Sequence, residues 1–86
     1  MYTVEVREDA AKAAKKLSRK MREAIYAAVA GLADNPRPHG CKRLTRAEPL
    51  YRIRVGDYRI VYTIQDKRLV VLVIRIAHRS RVYRRL

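Results

Sequence analysis

The sequence predicts an α+β domain: an N-terminal strand, a two-helix hairpin, then a largely antiparallel sheet with the helices on one face. Three observations predict it. Alternating β-rich residues open the chain at Tyr2-Thr3-Val4-Glu5-Val6 and return after position 50. Two stretches between them carry apolar residues at helical spacing. Finally, strand, helices and strands follow one another in blocks, without the regular alternation of a parallel α/β fold. With 86 residues, positions 1–86 make a single domain, large enough for one core without staples.

Residues 2–6 form the first strand. Asp9 is a suitable N-cap for a helix from Ala10, with Ala10, Ala13, Ala14 and Leu17 on one stripe. Ser18 restarts the pattern as a second cap, and Met21, Ile25, Ala28, Val29 and Leu32 continue it until Asp34-Asn35-Pro36. Helices joined so tightly form an antiparallel hairpin. A loop through Pro36-Arg37-Pro38-His39-Gly40 leads to a short strand over Lys42 to Thr45 and a turn through Ala47-Glu48-Pro49. The final strand, Leu69 to Ile76, is reached through a turn at Asp66-Lys67 and is apolar on both faces, which suits the middle of a sheet.

The most informative segment is Leu50 to Tyr62, two alternating strands around Gly56-Asp57. A Gly-X pair suits a two-residue type II′ turn, in which glycine takes positive φ. That register pairs Val55 with Tyr58, Arg54 with Arg59, Ile53 with Ile60 and Arg52 with Val61. Arg52, Arg54 and Arg59 then share one face. Tyr51, Ile53, Val55, Tyr58, Ile60 and Tyr62 fill the other, with the tyrosine hydroxyls expected at the rim. Like charges directly opposite each other destabilise a sheet, and local conflicts of this kind gather at functional sites. An anionic ligand is therefore expected at the arginines.

Composition agrees. Lys and Arg number 21 against 8 Asp and Glu, a formal net charge of +13. Such an excess repels itself in the folded state and points to nucleic acid or an acidic protein as partner. No membrane partner is expected, because the helices carry alanine rather than the bulky residues of an interfacial helix. The lone Cys41 permits no internal disulfide; with no signal-peptide pattern and no long apolar run, a cytoplasmic location is expected. One cysteine and two histidines, His39 and His78, cannot close a structural zinc site, so no metal or other cofactor is expected. The three glycines stand apart and make no phosphate loop. Ser18 is explained as a cap and Ser80 lies among arginines, so serine-nucleophile chemistry has no context. His39 reads as a loop residue and Cys41 as a small buried hydrophobe.

The tail, Ile76-Ala77-His78-Arg79-Ser80-Arg81-Val82-Tyr83-Arg84-Arg85-Leu86, sets a histidine and a tyrosine among arginines. If Asp66-Lys67 is a two-residue turn, His78 falls on the face of Arg52, Arg54 and Arg59. Lys42 and Arg81 extend the basic, RNA-binding set.

Taken together, the strand–helix–helix beginning, Tyr51-Arg52-Ile53-Arg54, Gly56-Asp57-Tyr58-Arg59-Ile60-Val61-Tyr62 and His78-Arg79-Ser80-Arg81-Val82-Tyr83-Arg84 resemble the RelE branch of the RelE/ParE toxin superfamily. The likeness spans essentially the whole chain. It implies a toxin of a toxin–antitoxin module that cleaves mRNA in the ribosomal A site, with a cognate antitoxin, mRNA and the ribosome as partners. By the same resemblance, Arg59 matches the arginine that contacts the scissile phosphate. Arg79 matches the arginine after the last strand, and Tyr83 a near-terminal tyrosine that stacks on a base or helps proton transfer. Arg52 and Arg54 stand where the best-known members carry lysine.

That departure has a chemical consequence. A guanidinium, with a pKa above about 12, clamps phosphate but cannot take the proton of a 2′-hydroxyl. Metal-free RNA cleavage needs a base, stabilisation of the phosphorane charge and an acid. Arg52, Arg54, Arg59 and Arg79 answer the second need, while Tyr83, His78 or the ribosome must answer the others. Two alternatives stay open: a ParE-like DNA gyrase inhibitor, and an RNA-binding module without catalysis.

Overall fold

The computed structural model describes residues 1–44 and 49–83. Its elements are β1 (Thr3–Val6), α1 (Glu8–Lys15), α2 (Arg19–Gly31), β2 (Lys42–Arg43), β3 (Leu50–Val55), β4 (Tyr58–Gln65) and β5 (Val70–His78). The strands form one sheet in the order β1-β5-β4-β3-β2. Its pairings are antiparallel except for β1, which runs parallel to β5. The expected α+β architecture is thus present. Among the described residues, no helix is long and apolar enough to cross a membrane.

Both helices contribute to one core. Ala10 and Ala14 of α1, with Ile25 and Val29 of α2 and Leu32 just beyond it, pack with Ile53, Ile60, Tyr62, Ile64, Val71, Val73 and Ile76. Alanine on the α1 stripe permits a close approach of helix to sheet, and β5 is indeed an interior strand.

Ser18 caps α2 as expected, its Oγ accepting the Met21 amide at 3.2 Å. Asp9 does not cap α1. The helix begins at Glu8, because the Arg7 amide is held by the Val73 carbonyl at 2.9 Å and the chain turns into the helix directly from β1. Asp9 instead lies in the first turn, where its charge suits the helix dipole and the Arg7 guanidinium beside it holds its carboxyl below the usual range.

Three features fix the loops at one end of the sheet. Arg37 donates to both carboxylate oxygens of Asp66, at 3.2 and 2.9 Å, and Tyr2 donates to the same carboxylate at 2.7 Å. The Arg37 guanidinium also lies over the Tyr51 ring, 5.2 Å from its centroid. Tyr62 departs from expectation, for its hydroxyl is buried and not at the rim. It donates to the Pro36 carbonyl at 2.7 Å and meets Cys41 Sγ at 3.2 Å. Burial pushes its pKa up, so it stays a neutral donor.

The short strand ends at Arg43. Leu44, expected to continue it, lies outside the strand, and Thr45 and the turn residues Ala47 and Glu48 lie outside the described residues.

Candidate nucleic-acid interface

The β3–β4 hairpin has the register that its alternation predicts: Val55 opposite Tyr58, Arg54 opposite Arg59, Ile53 opposite Ile60 and Arg52 opposite Val61. Gly56 takes φ 58° while Asp57 does not take positive φ, as a type II′ turn requires. Arg52, Arg54 and Arg59 therefore share the side of the sheet away from the helices.

Their environments differ sharply. Arg54 is exposed. Arg59 is half-buried and curls back over the turn, its Nη1 donating to the carbonyls of Gly56 and Tyr58 at 3.1 Å each. Arg52 is buried, at 6% exposure, which a solvent-facing phosphate clamp would not be. Its strand neighbour Lys42 brings the preceding loop alongside, and Arg52 Nη1 donates to the Gly40 carbonyl at 3.5 Å. No buried side-chain nitrogen or oxygen among the described residues lacks a hydrogen-bond partner. Lys42 itself is exposed.

His78 is not where the two-residue-turn register puts it. It pairs with Tyr58, on the helix side of the sheet, and its ring meets the Tyr58 ring edge-on at 5.6 Å between centroids. The β4–β5 loop runs from Asp66 to Leu69 between the paired residues Gln65 and Val70. Doubling the loop shifts the register by two and leaves the faces unchanged. A β-bulge is responsible instead: Tyr62 pairs with Val73 but Val61 with Arg75, so Ile74 is an extra residue. One extra residue inverts every side chain beyond it. His78 Nδ1 accepts the Ser80 amide at 3.2 Å and lies 2.9 Å from Ser80 Oγ, and these bonds fix its ring toward the chain that follows.

The same bulge brings in a residue that sequence reasoning missed. Arg75 joins Val61 and Arg52 in one cross-strand row on the arginine side. The available signal was a lone charge in an otherwise apolar strand.

After β5 the chain folds back. Arg79 donates its amide to the Asp57 carbonyl at 2.8 Å, and its Nε lies 4.0 Å from the Asp57 carboxylate. Arg59 and Arg79 are thereby gathered at one turn, Gly56-Asp57. Arg81 and Tyr83 are exposed, and Arg81 lines a groove of about 240 Å³ with Arg75 and Asp9. Arg84 and Arg85 lie outside the described residues.

Residues 1–83 match the model of the family described as the ParE toxin of the type II toxin–antitoxin system parDE. The chain belongs to this toxin family. Within it the chain is RelE-like. It is 38% identical over 84 residues to Toxin RelE of Mycobacterium tuberculosis (strain ATCC 25618 / H37Rv), covering 96% of this chain and 87% of that one. The toxin fold is similar to the archaeal RelE–RelB complex of Pyrococcus horikoshii OT3, with TM-score 0.83, 26% identity, and coverage of 94% and 98% of the two chains. It is similar also to the toxin–antitoxin complex RelBE2 of M. tuberculosis (TM-score 0.78, 28% identity, 90% and 96% coverage). The isolated E. coli RelE toxin matches at TM-score 0.77 and 28% identity, over 91% of this chain and 84% of that one.

Proposed function

We propose that this toxin is a ribosome-dependent mRNA endoribonuclease of the cytoplasm, neutralised by a cognate protein antitoxin. The observation that carries the reading is the convergence of Arg54, Arg59 and Arg79 around the Gly56-Asp57 turn, with Tyr83 on the chain that follows. Guanidinium groups match phosphate oxygens in geometry and charge, and they stabilise the charge that builds on a phosphorane. Buried Arg52 adds positive potential from beneath without competing for the phosphate.

Proton transfer falls to Tyr83 and the ribosome. Arginine stays protonated at neutral pH, and His78 faces the helix side. A phosphate clamp built of arginines, with Tyr83 as the proton carrier that this reading assigns, calls for the ribosome to complete the chemistry. The antitoxin is supported by the similarity to solved RelE–RelB complexes and by a charge of +13, which favours rapid encounter with an acidic segment.

The experiment is translation in vitro on a defined message, with 3′ ends mapped with and without ribosomes and antitoxin. Cleavage only with ribosomes, abolished by antitoxin, is the expected result. Efficient cutting of naked RNA would show a site complete on the toxin itself. A second reading, inhibition of DNA gyrase, is favoured by the family's ParE description and by the displacement of His78 from the arginine side. A supercoiling assay separates the two: inhibition without mRNA cleavage selects gyrase.

A further inference from the structure

We infer that Val82 is a positioning residue whose burial on the arginine side of the sheet seats Arg79, Arg81 and Tyr83 for RNA cleavage; the catalytic part of this inference rests on the nuclease reading above. The arginine side carries a second, small apolar cluster, separate from the main core. Leu50, Val61 and Val82 are its buried members, with Leu44, Ile74 and Ala77 packed against them. Val61 lies between Arg52 and Arg75 in its cross-strand row, so this apolar slot is set among the arginines.

The backbone explains how one valine reaches it. Arg81 and Val82 both donate their amides to the His78 carbonyl, at 2.9 and 3.0 Å, closing a tight turn immediately after β5. That turn carries the chain from the helix side at His78 to the opposite side at Val82. There Arg75 Nη1 donates to the Val82 carbonyl at 3.4 Å, a long bond that supports the side-chain anchor without replacing it.

Of residues 79–83, Val82 alone is buried; Arg79, Ser80, Arg81 and Tyr83 are exposed. A chain end frays more readily when a buried side chain that anchors it is lost. Among the described residues the tail is held by the Arg79 amide on the Asp57 carbonyl, the Arg81 and Val82 amides on the His78 carbonyl, the long Arg75 bond to the Val82 carbonyl, and Val82 in its slot. Without Val82 in its slot, the turn at His78 and the long Arg75 bond hold Arg81 and Tyr83 less firmly. A sub-ångström loss of alignment between a clamp and a proton donor lowers turnover, while the exposed charges still attract RNA.

The test compares Val82→Ala, Val82→Thr and Val82→Ile with the wild type in two measurements. One is kcat and KM for mRNA cleavage on programmed ribosomes. The other is the rate at which trypsin cuts after Arg79 and Arg81, followed by mass spectrometry. In Val82→Ala we expect kcat to fall on the order of a hundredfold, with KM changed little. Tryptic release of the tail should be faster, and Val82→Ile should restore both. Val82→Thr keeps the shape while placing a hydroxyl in the slot, and it carries the test if the alanine variant loses its cooperative melt.

Wild-type kcat in both the alanine and threonine variants, or unchanged tryptic protection in both, overturns the inference. So does failure of Val82→Ile to restore either reading. If the wild type itself cleaves no mRNA, the nuclease reading falls and the seating of catalytic groups falls with it. The tryptic comparison still decides whether Val82 holds the tail.

Discussion

Arg54 stands directly opposite Arg59 across the β3–β4 ladder, beside a turn whose carbonyls already accept two bonds from the Arg59 guanidinium. Two like charges in register destabilise a hairpin, on the order of the 0.2–1 kcal/mol that a favourable cross-strand pair contributes. Arg54→Thr should therefore make the free toxin more stable by an amount in that range, and more so at low salt, where screening is weak. The same variant should bind RNA or ribosomes less well. Thermal melts at two ionic strengths check the first point and a binding isotherm the second. A less stable Arg54→Thr would show that repulsion from Arg59, whose guanidinium is held over the turn, does not govern this pair.

Arg59→Ala and Arg79→Ala should each lose about a hundred- to a thousandfold in cleavage rate, the usual effect of removing one preorganised donor to a developing charge. Tyr83→Phe keeps the ring and removes only the hydroxyl. If Tyr83 transfers a proton, this variant loses about a hundredfold or more and also changes the pH–rate profile, which the arginine variants leave in shape. An unchanged Tyr83→Phe rate would assign proton transfer wholly to the ribosome. His78→Ala should cut normally if the ring stays on the helix side, and a dead His78→Ala would mean that the tail rearranges on RNA.

Binding should depend steeply on salt. A clamp that engages about four phosphates of single-stranded RNA gives a log–log slope near −3, at roughly −0.7 per phosphate. Titrations between low and moderate salt measure it. A flat response would mean that the arginine side is not the contact surface.

Asp66 links stability to pH. Hydrogen bonds from Arg37, then from Tyr2, hold its carboxyl down to about 2. A carboxylate whose folded pKa lies below its unfolded value of about 3.9 stabilises the fold above that value and loses the contribution as pH falls toward about 2. Asp66→Asn should melt below the wild type at neutral pH, and the gap should close between about pH 4 and pH 2. Both groups are well exposed, so the gap is modest. A gap of constant size across that range would mean that the charge on Asp66 is not what matters.

Much of this molecule follows from local pattern. Alternation placed the arginine hairpin in its register, glycine at position 56 supplied the positive φ of its turn, and Ser18 started the second helix. Each depends on residues a few positions apart, where side-chain period and backbone preference act directly. The face of His78, the recruitment of Arg75, the burial of Arg52 and the seating of Val82 were decided otherwise. A single extra residue at Ile74 reversed the faces beyond it, and nothing near Ile74 in the sequence announces a bulge. Arg52 is buried beside β2, with the Gly40 carbonyl of the preceding loop 3.5 Å from its guanidinium. Val82 is buried because Leu50 and Val61, on two other strands, leave an apolar slot among arginines. Those outcomes depend on contacts between distant parts of the chain, which exist only once the sheet has formed.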